Sequence, residues 1–222
     1  MLKISKRLNA IVKTCPSLPV WADIGCDHGL LSAALITNNK AQNVIASDIS
    51  EPSLYKAKDL ALRLALTDKI YLRIGNGLSV LKENEAQGAV LAGMGSPLMI
   101  EILKFGIEQN KAPGTLVLSP NNYPERLRGF AVENGYDIIK EKYVLENERV
   151  YPIILLEKSD GAVAKLSISE LYCGRNPVKD EEYFSCIEAL LNREKKIVSE
   201  IGIKNEKSKL HEELVEIYGG VR

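Results

Sequence analysis

The 222-residue chain is poor in sulfur and in imidazole, with four cysteines and two histidines. Cys15, Cys26, Cys173 and Cys186 form no C-x-x-C pair, and His28 lies far from His211. That spacing argues against a structural zinc site and reads as a reduced, cytoplasmic protein. No apolar run approaches the ~20 residues of a membrane span. The opening MLKISKRLNAIVK alternates charge with apolar residues, so it does not read as a signal peptide. Net charge is absent too: 29 Lys and Arg stand against 29 Asp and Glu, which excludes a strongly basic nucleic-acid coat but not a local basic patch.

What is present is ordinary for a folded chain. At 45% apolar and 26% charged, the composition excludes disorder. At roughly 100–200 residues per domain, the length allows one domain with an appendage, or two small ones. A core needs no staples at this size.

Apolar runs read as strands at 19–25, 43–48, 69–77, 89–95 and 115–122. Helical stretches fit 28–38, 51–66, 97–109 and 125–135 between and after them. Strands alternating with helices predict a mostly parallel sheet with right-handed crossovers. Two further strands, 136–144 and 150–156, follow with only the polar turn Glu146–Arg149 between them. They predict an antiparallel hairpin that completes a seven-stranded, Rossmann-like α/β sheet. Ahead of it all, residues 1–14 predict a leading basic helix with Lys3, Lys6, Arg7 and Lys13, closed by Pro16 and Pro19.

Composition shifts near Ser159–Gly161. The expected domains are 1–158 and a helical 162–222. In the second, Tyr183, Ile187, Leu190, Glu194, Ile197 and Ile201 step by 4, 3, 4, 3 and 4, a heptad seam with one polar interruption. Gly202 is expected to break it, with Leu210, Leu214 and Ile217 forming a second stripe, hence a short coiled-coil hairpin.

The chemistry concentrates in Trp21-Ala-Asp-Ile-Gly-Cys-Asp-His-Gly29. An apolar strand ends at Asp23, and Gly25 and Gly29 frame the turn into a helix; Gly25 lets a ligand approach the backbone. Asp48 ends the next strand, 19 residues after Gly29, where an acid can bind the two hydroxyls of a ribose. The dinucleotide fingerprint has glycine where Asp27 stands, and a pyrophosphate there would meet a carboxylate. S-adenosylmethionine carries a sulfonium and an ammonium instead, which suits Asp23 and Asp27. A ligand-free tight turn, with an Asp capping a helix from His28, is the bland alternative.

Further along, Asn76 stands between Gly75 and Gly77, where its amide can accept from an adenine amino group or simply make a turn. Ala92-Gly93-Met94-Gly95 leaves a shelf of small residues, and Met94 can pack on an adenine face or merely open a helix. Cys26 reads as a small buried turn residue, and His28 more as packing or capping than as a base. The candidate cofactor shell is Asp23, Gly25, Cys26, His28, Gly29, Asp48, Ile49, Asn76, Gly77, Gly93, Met94 and Gly95.

DIGCDHG, SDIS, GNGL, AGMG, SPNN followed by PERLR, and ENGY resemble, in order and spacing, the bacterial tRNA (adenine-22-N1)-methyltransferases. The resemblance spans residues 1–157 and extends weakly into the tail. It implies a class I methyltransferase fold, S-adenosylmethionine as cofactor, tRNA as partner and methylation of adenine N1. Asn76 replaces an Asp common there, and Ser119 a Gln. Asp27 is the candidate catalytic residue, orienting the adenine amino group, accepting its proton or holding the cofactor. Asn121 is placed to meet the target base. Lys3, Lys6, Arg7, Arg126 and Arg128 are candidate tRNA contacts, unless they are solvated faces. The tail balances ten Lys and Arg against eleven Asp and Glu, so it is no electrostatic clamp. No metal and no membrane are expected, and a monomer or weak homodimer is. The alternatives are a methyltransferase for another nucleic acid or small molecule, and a non-catalytic nucleotide-binding module.

Overall fold

The computed structural model describes residues 2–201 and 206–221. Strands β1 (Leu18–Ile24), β2 (Ala41–Asp48), β3 (Ile70–Ile74), β4 (Gly88–Ala92), β5 (Thr115–Ser119), β6 (Tyr136–Glu146) and β7 (Arg149–Lys158) form one sheet in the order β3-β2-β1-β4-β5-β7-β6. The first five are parallel, and β7 runs antiparallel between β5 and β6. The expected seven-stranded sheet and closing hairpin are both present. The strand order reverses at β1, the topological switch point where ligands bind doubly wound sheets.

Helices cover both faces, which is why the central strands are apolar throughout. In β1, Trp21 faces one core cluster while Ala22 and Ile24 face the other; in β5, Val117 is divided from Leu116 and Leu118 in the same way. Trp21 lies over Gly88, its register partner on β4, where a Cβ would come within 2.7 Å of the indole. The first cluster lies under α1 (Lys6–Thr14), α2 (Leu30–Thr37) and α3 (Glu51–Arg63). The second lies under α4 (Ser96–Glu108) and α5 (Pro124–Glu133).

Three details differ from the sequence reading. The leading helix starts only at Lys6, because the Ser5 side chain accepts from the Leu8 N–H and caps it, so Lys3 lies off the helix. The second helix starts at Leu30 rather than His28, behind Gly29 in a left-handed conformation. Between the third and fourth strands, where the sequence places no helix, there is only a 3-10 helix at Gly77–Val80. The tail carries an extra helix, α6 (Ile168–Cys173), whose Ser167 and Glu170 form a capping box.

The tail continues through α7 (Glu181–Ile201) and α8 (Glu206–Gly219), packed on each other and through α7 on β6. Tyr183, Ile187 and Leu214 are buried with Tyr218, Cys173 and Tyr143. Glu194, the polar step of the seam, is buried as well. Leu210 is exposed, so the second stripe is narrower than its spacing predicts. The expected break at Gly202 lies outside the described residues.

Candidate active site

The site assembles where β1, β2, β4 and β5 end. β1 runs into a turn that bends back on β2: the N–H groups of Gly25 and Cys26 both donate to the Ser47 carbonyl at 2.9 Å. Gly25 (φ +75) and Asp27 (φ +46) both lie in the left-handed region. Gly25 is exposed, and a Cβ there would come within 2.9 Å of Met94 Cε. Gly29 has a different purpose: it is buried, and its missing Cβ would stand 2.9 Å from Ala57 Cβ. It brings α2 against α3.

Asp48 organises the turn. One carboxylate oxygen accepts from the Asp27 N–H at 3.0 Å, and the other from the Ser50 N–H at 2.9 Å. Each retains a lone pair, so the half-buried group can still accept two hydroxyls. Beside it, Ile49 and Ile74 expose 73% and 62% of their surface at the tips of β2 and β3, a ledge suited to a purine. Ile74 was missed in the sequence; its signal is an apolar residue directly before Gly-Asn-Gly. Asn76 is exposed and makes no side-chain cap, whereas Gly77 is buried against Ile102 and answers a packing need.

Asp23 is buried, and the Ser32 hydroxyl donates to it at 2.6 Å. Burial pushes its carboxyl up to about 6, against the opposing effect of Ser32. A buried acid with one neutral partner at a ligand cradle matches a cation's needs. Ser32 sits on α2, and nothing in the sequence marked it. Asp27, by contrast, is solvent-facing: Ser53 donates to it at 3.4 Å and His28 Nε2 lies 3.3 Å away. His28 lines a groove between α2 and α3 with Lys56 and Arg63. Cys26 is buried, and burial raises its thiol well above the ordinary value, so it stays protonated.

The opposite wall comes from the loops after β4 and β5. The Asn121 N–H donates to the Met94 carbonyl, and its amide NH2 donates to the Gly93 carbonyl at 2.7 Å. Its amide oxygen accepts from Arg7 at 3.1 Å. Asn121 is therefore a stitch, with one N–H left for a base, rather than the open amide its position suggests. Asn122 makes a parallel stitch to Ser96 and crowds Gly95, where a Cβ would stand 2.8 Å from its oxygen.

The candidate cations divide sharply. Arg7 reaches over the site wall near Gly93 and stacks on Tyr151 at 4.6 Å. Lys6 is tied to Glu182 at 2.6 Å. Lys3 is exposed, and Arg126 is exposed over the Tyr123 ring. Arg128 is fully buried against Glu141, so it cannot touch RNA; that reading is corrected by the packing of α5 on β6. The sequence shows only a cation on an amphipathic helix, and which face it takes depends on the partner strand. Among the described residues, no group of three or more His, Cys, Asp or Glu could hold a metal ion, and no helix is long and apolar enough to cross a membrane.

Residues 4–154 match a family model described as a methyltransferase domain. The tRNA (adenine(22)-N(1))-methyltransferase of Bacillus subtilis (strain 168) is 33% identical over 168 residues, covering 76% of this chain and 71% of that one. The solved structure of the B. subtilis M1A22 tRNA methyltransferase TrmK superposes with a TM-score of 0.79 at 28% identity, covering 99% and 98% of the two chains. M. capricolum TrmK, solved in complex with S-adenosyl-homocysteine, gives 0.82 at 27% identity over 97% and 96%.

Proposed function

The chain belongs to the tRNA (adenine(22)-N(1))-methyltransferase family, and from that premise we infer that it transfers the methyl group of S-adenosylmethionine to N1 of adenine 22 in tRNA. The observation that carries this reading is the charge of the cradle. Asp23 and Asp27 flank the glycine turn, Asp23 with its side chain buried and Asp27 exposed. That arrangement repels a pyrophosphate and suits a ligand bearing an ammonium and a sulfonium.

The residues present fit S-adenosylmethionine. Asp48 would hold the ribose hydroxyls, Ile49 and Ile74 the adenine ring, Asn76 its amino edge and Asp23 the ammonium end. Gly25 keeps the backbone close, with Met94 across from it. When bound, the cofactor supplies an electrophilic methyl group. Adenine N1 already carries a lone pair, so no base is required before attack, and the chain's task is positioning and exclusion of water. The methylated adenine is cationic. Asp27, exposed at the turn, offsets that charge or holds the exocyclic amine. The Asn121 and Asn122 stitches hold the facing wall.

Residues 1–158 act in this reading as the methyltransferase domain and 162–222 as a helical domain beside the RNA. A tRNA substrate implies a cytoplasmic site of action. Lys3, Arg7 and Arg126 are the cations of the original set that remain available for RNA. The test is methyl transfer from labelled S-adenosylmethionine to tRNA from cells lacking the modification, mapped by reverse-transcription stops. A stop at adenine 22 is expected, because an N1-methyl blocks base pairing. Label in another tRNA position, or none, overturns the substrate assignment.

A further inference from the structure

The methyl-transfer site does not account for a second cavity that shares one wall with it. This cavity, about 380 Å³, opens between the loop after β5 and the tail helices. Asn121, stitched to Gly93 in the active-site wall, also lines it. So do Tyr123, Tyr172, Arg193, Glu194 and His211.

Two features of this cavity are costly to the fold. Tyr123 is held at φ +48 and ψ +47, a left-handed conformation that a bulky residue rarely adopts, with its ring half in solvent and Arg126 4.9 Å from the ring centre. Glu194 puts a carboxylate into the α7–α8 seam at 1% exposure. It accepts from Arg193 at 2.7 Å and pairs with His211 Nδ1 at 2.5 Å. With Nδ1 turned to the carboxylate, His211 Nε2 is the ring nitrogen left for a ligand. An aromatic face, a ring nitrogen oriented by a buried acid and flanking guanidinium groups are what an unstacked RNA base requires: stacking, edge recognition and a phosphate partner.

We propose that this cavity is a subsite for an unpaired tRNA base flanking the target adenine, with Tyr123 as its stacking platform and His211, positioned by Glu194, at its edge. The proposal rests on the tRNA reading above. Holding the neighbour beside the Asn121 wall would keep the target nucleotide extruded toward Asp27.

The experiment uses the full chain and tRNA carrying 2-aminopurine at either nucleotide flanking adenine 22. Stacking on Tyr123 is expected to quench one of the two probes on binding, and Tyr123→Ala to abolish that quenching. The KM for tRNA should rise about 5- to 150-fold in Tyr123→Ala, the loss of one base stack. Affinity for S-adenosyl-homocysteine should stay at wild type, and Tyr123→Phe should restore the KM. His211→Ala and Glu194→Gln should raise the same KM without lowering kcat in proportion. Unchanged emission from both probes in the wild-type complex, or a wild-type KM in Tyr123→Ala, overturns the subsite. Failure of the wild-type enzyme to methylate any tRNA overturns the tRNA reading instead.

Discussion

Arg128 and Glu141 form an ion pair with no solvent contact, joining α5 to β6. The guanidinium Nε and a terminal nitrogen both donate to one carboxylate oxygen, at 3.0 and 2.7 Å. The same guanidinium donates to the Tyr143 hydroxyl and the Leu171 carbonyl, and the Arg175 N–H donates to Glu141. One buried pair thus links the last strands of the sheet to the start of the tail. Removing either partner leaves the other charged and buried. Arg128→Ala is expected to cost about 3–5 kcal/mol. Thermal unfolding measures it, and a Tm shift of only a degree or two would contradict the assignment.

Asp23→Asn should separate stability from binding. Because burial raises this carboxyl from 3.8 to about 6, between those two values the folded chain holds a proton there that the unfolded chain has lost. Its stability contribution is therefore fully present below the ordinary value and falls as pH rises through about 6. The asparagine still accepts from Ser32 and carries no charge, so the ligand-free protein should gain up to about 3 kcal/mol at pH 8. Calorimetry should show the opposite for S-adenosyl-homocysteine, with binding much weakened.

The same group sets a pH dependence in the wild-type chain. A bound ammonium favours ionised Asp23. Affinity for S-adenosyl-homocysteine should fall as pH drops below about 6, the value to which burial raises that carboxyl. Titrations between pH 5 and 8, roughly the range over which such a group changes charge, should show protons released on binding at the acid end. In Asp23→Asn that proton release should vanish.

Gly25→Ala tests the turn. The clash with Met94 Cε is with the end of a flexible side chain and is cheap to relieve. The φ of +75 is not, and costs an alanine about 1–2 kcal/mol. Adding Met94→Ala should therefore leave the Tm loss in place. Recovery of the lost stability in the double variant would show that side-chain crowding, not backbone strain, governs the position.

Asp48→Asn should leave the fold nearly intact, since an amide oxygen can still accept one of the two N–H bonds from Asp27 and Ser50. Two ribose hydroxyls lose a charged acceptor, so the KM for S-adenosylmethionine should rise about 100-fold. A KM within experimental scatter of wild type would remove Asp48 from the ribose site.

The sequence by itself determined the layer order of this protein. Strand and helix periods, the glycine turn after Asp23 and the acid ending β2 are local signals, and each depends on neighbours a few residues away. The closing hairpin was legible for the same reason, from two apolar runs joined by the polar turn Glu146–Arg149. Tertiary structure alone decided which charges are free. Lys6, Arg7, Arg126 and Arg128 look alike along the chain, yet one is tied to Glu182, one reaches the site wall, one lies on Tyr123 and one is buried on Glu141. Their partners lie up to 176 positions away, as Lys6 and Glu182 do (182 − 6), and no local pattern encodes a contact across that separation. Ser32 beneath Asp23 and His211 beside Glu194 were hidden too, although they lie only 9 and 17 positions from their partners. A hydroxyl or an imidazole on a helix gains a role only from the group that packing sets opposite it.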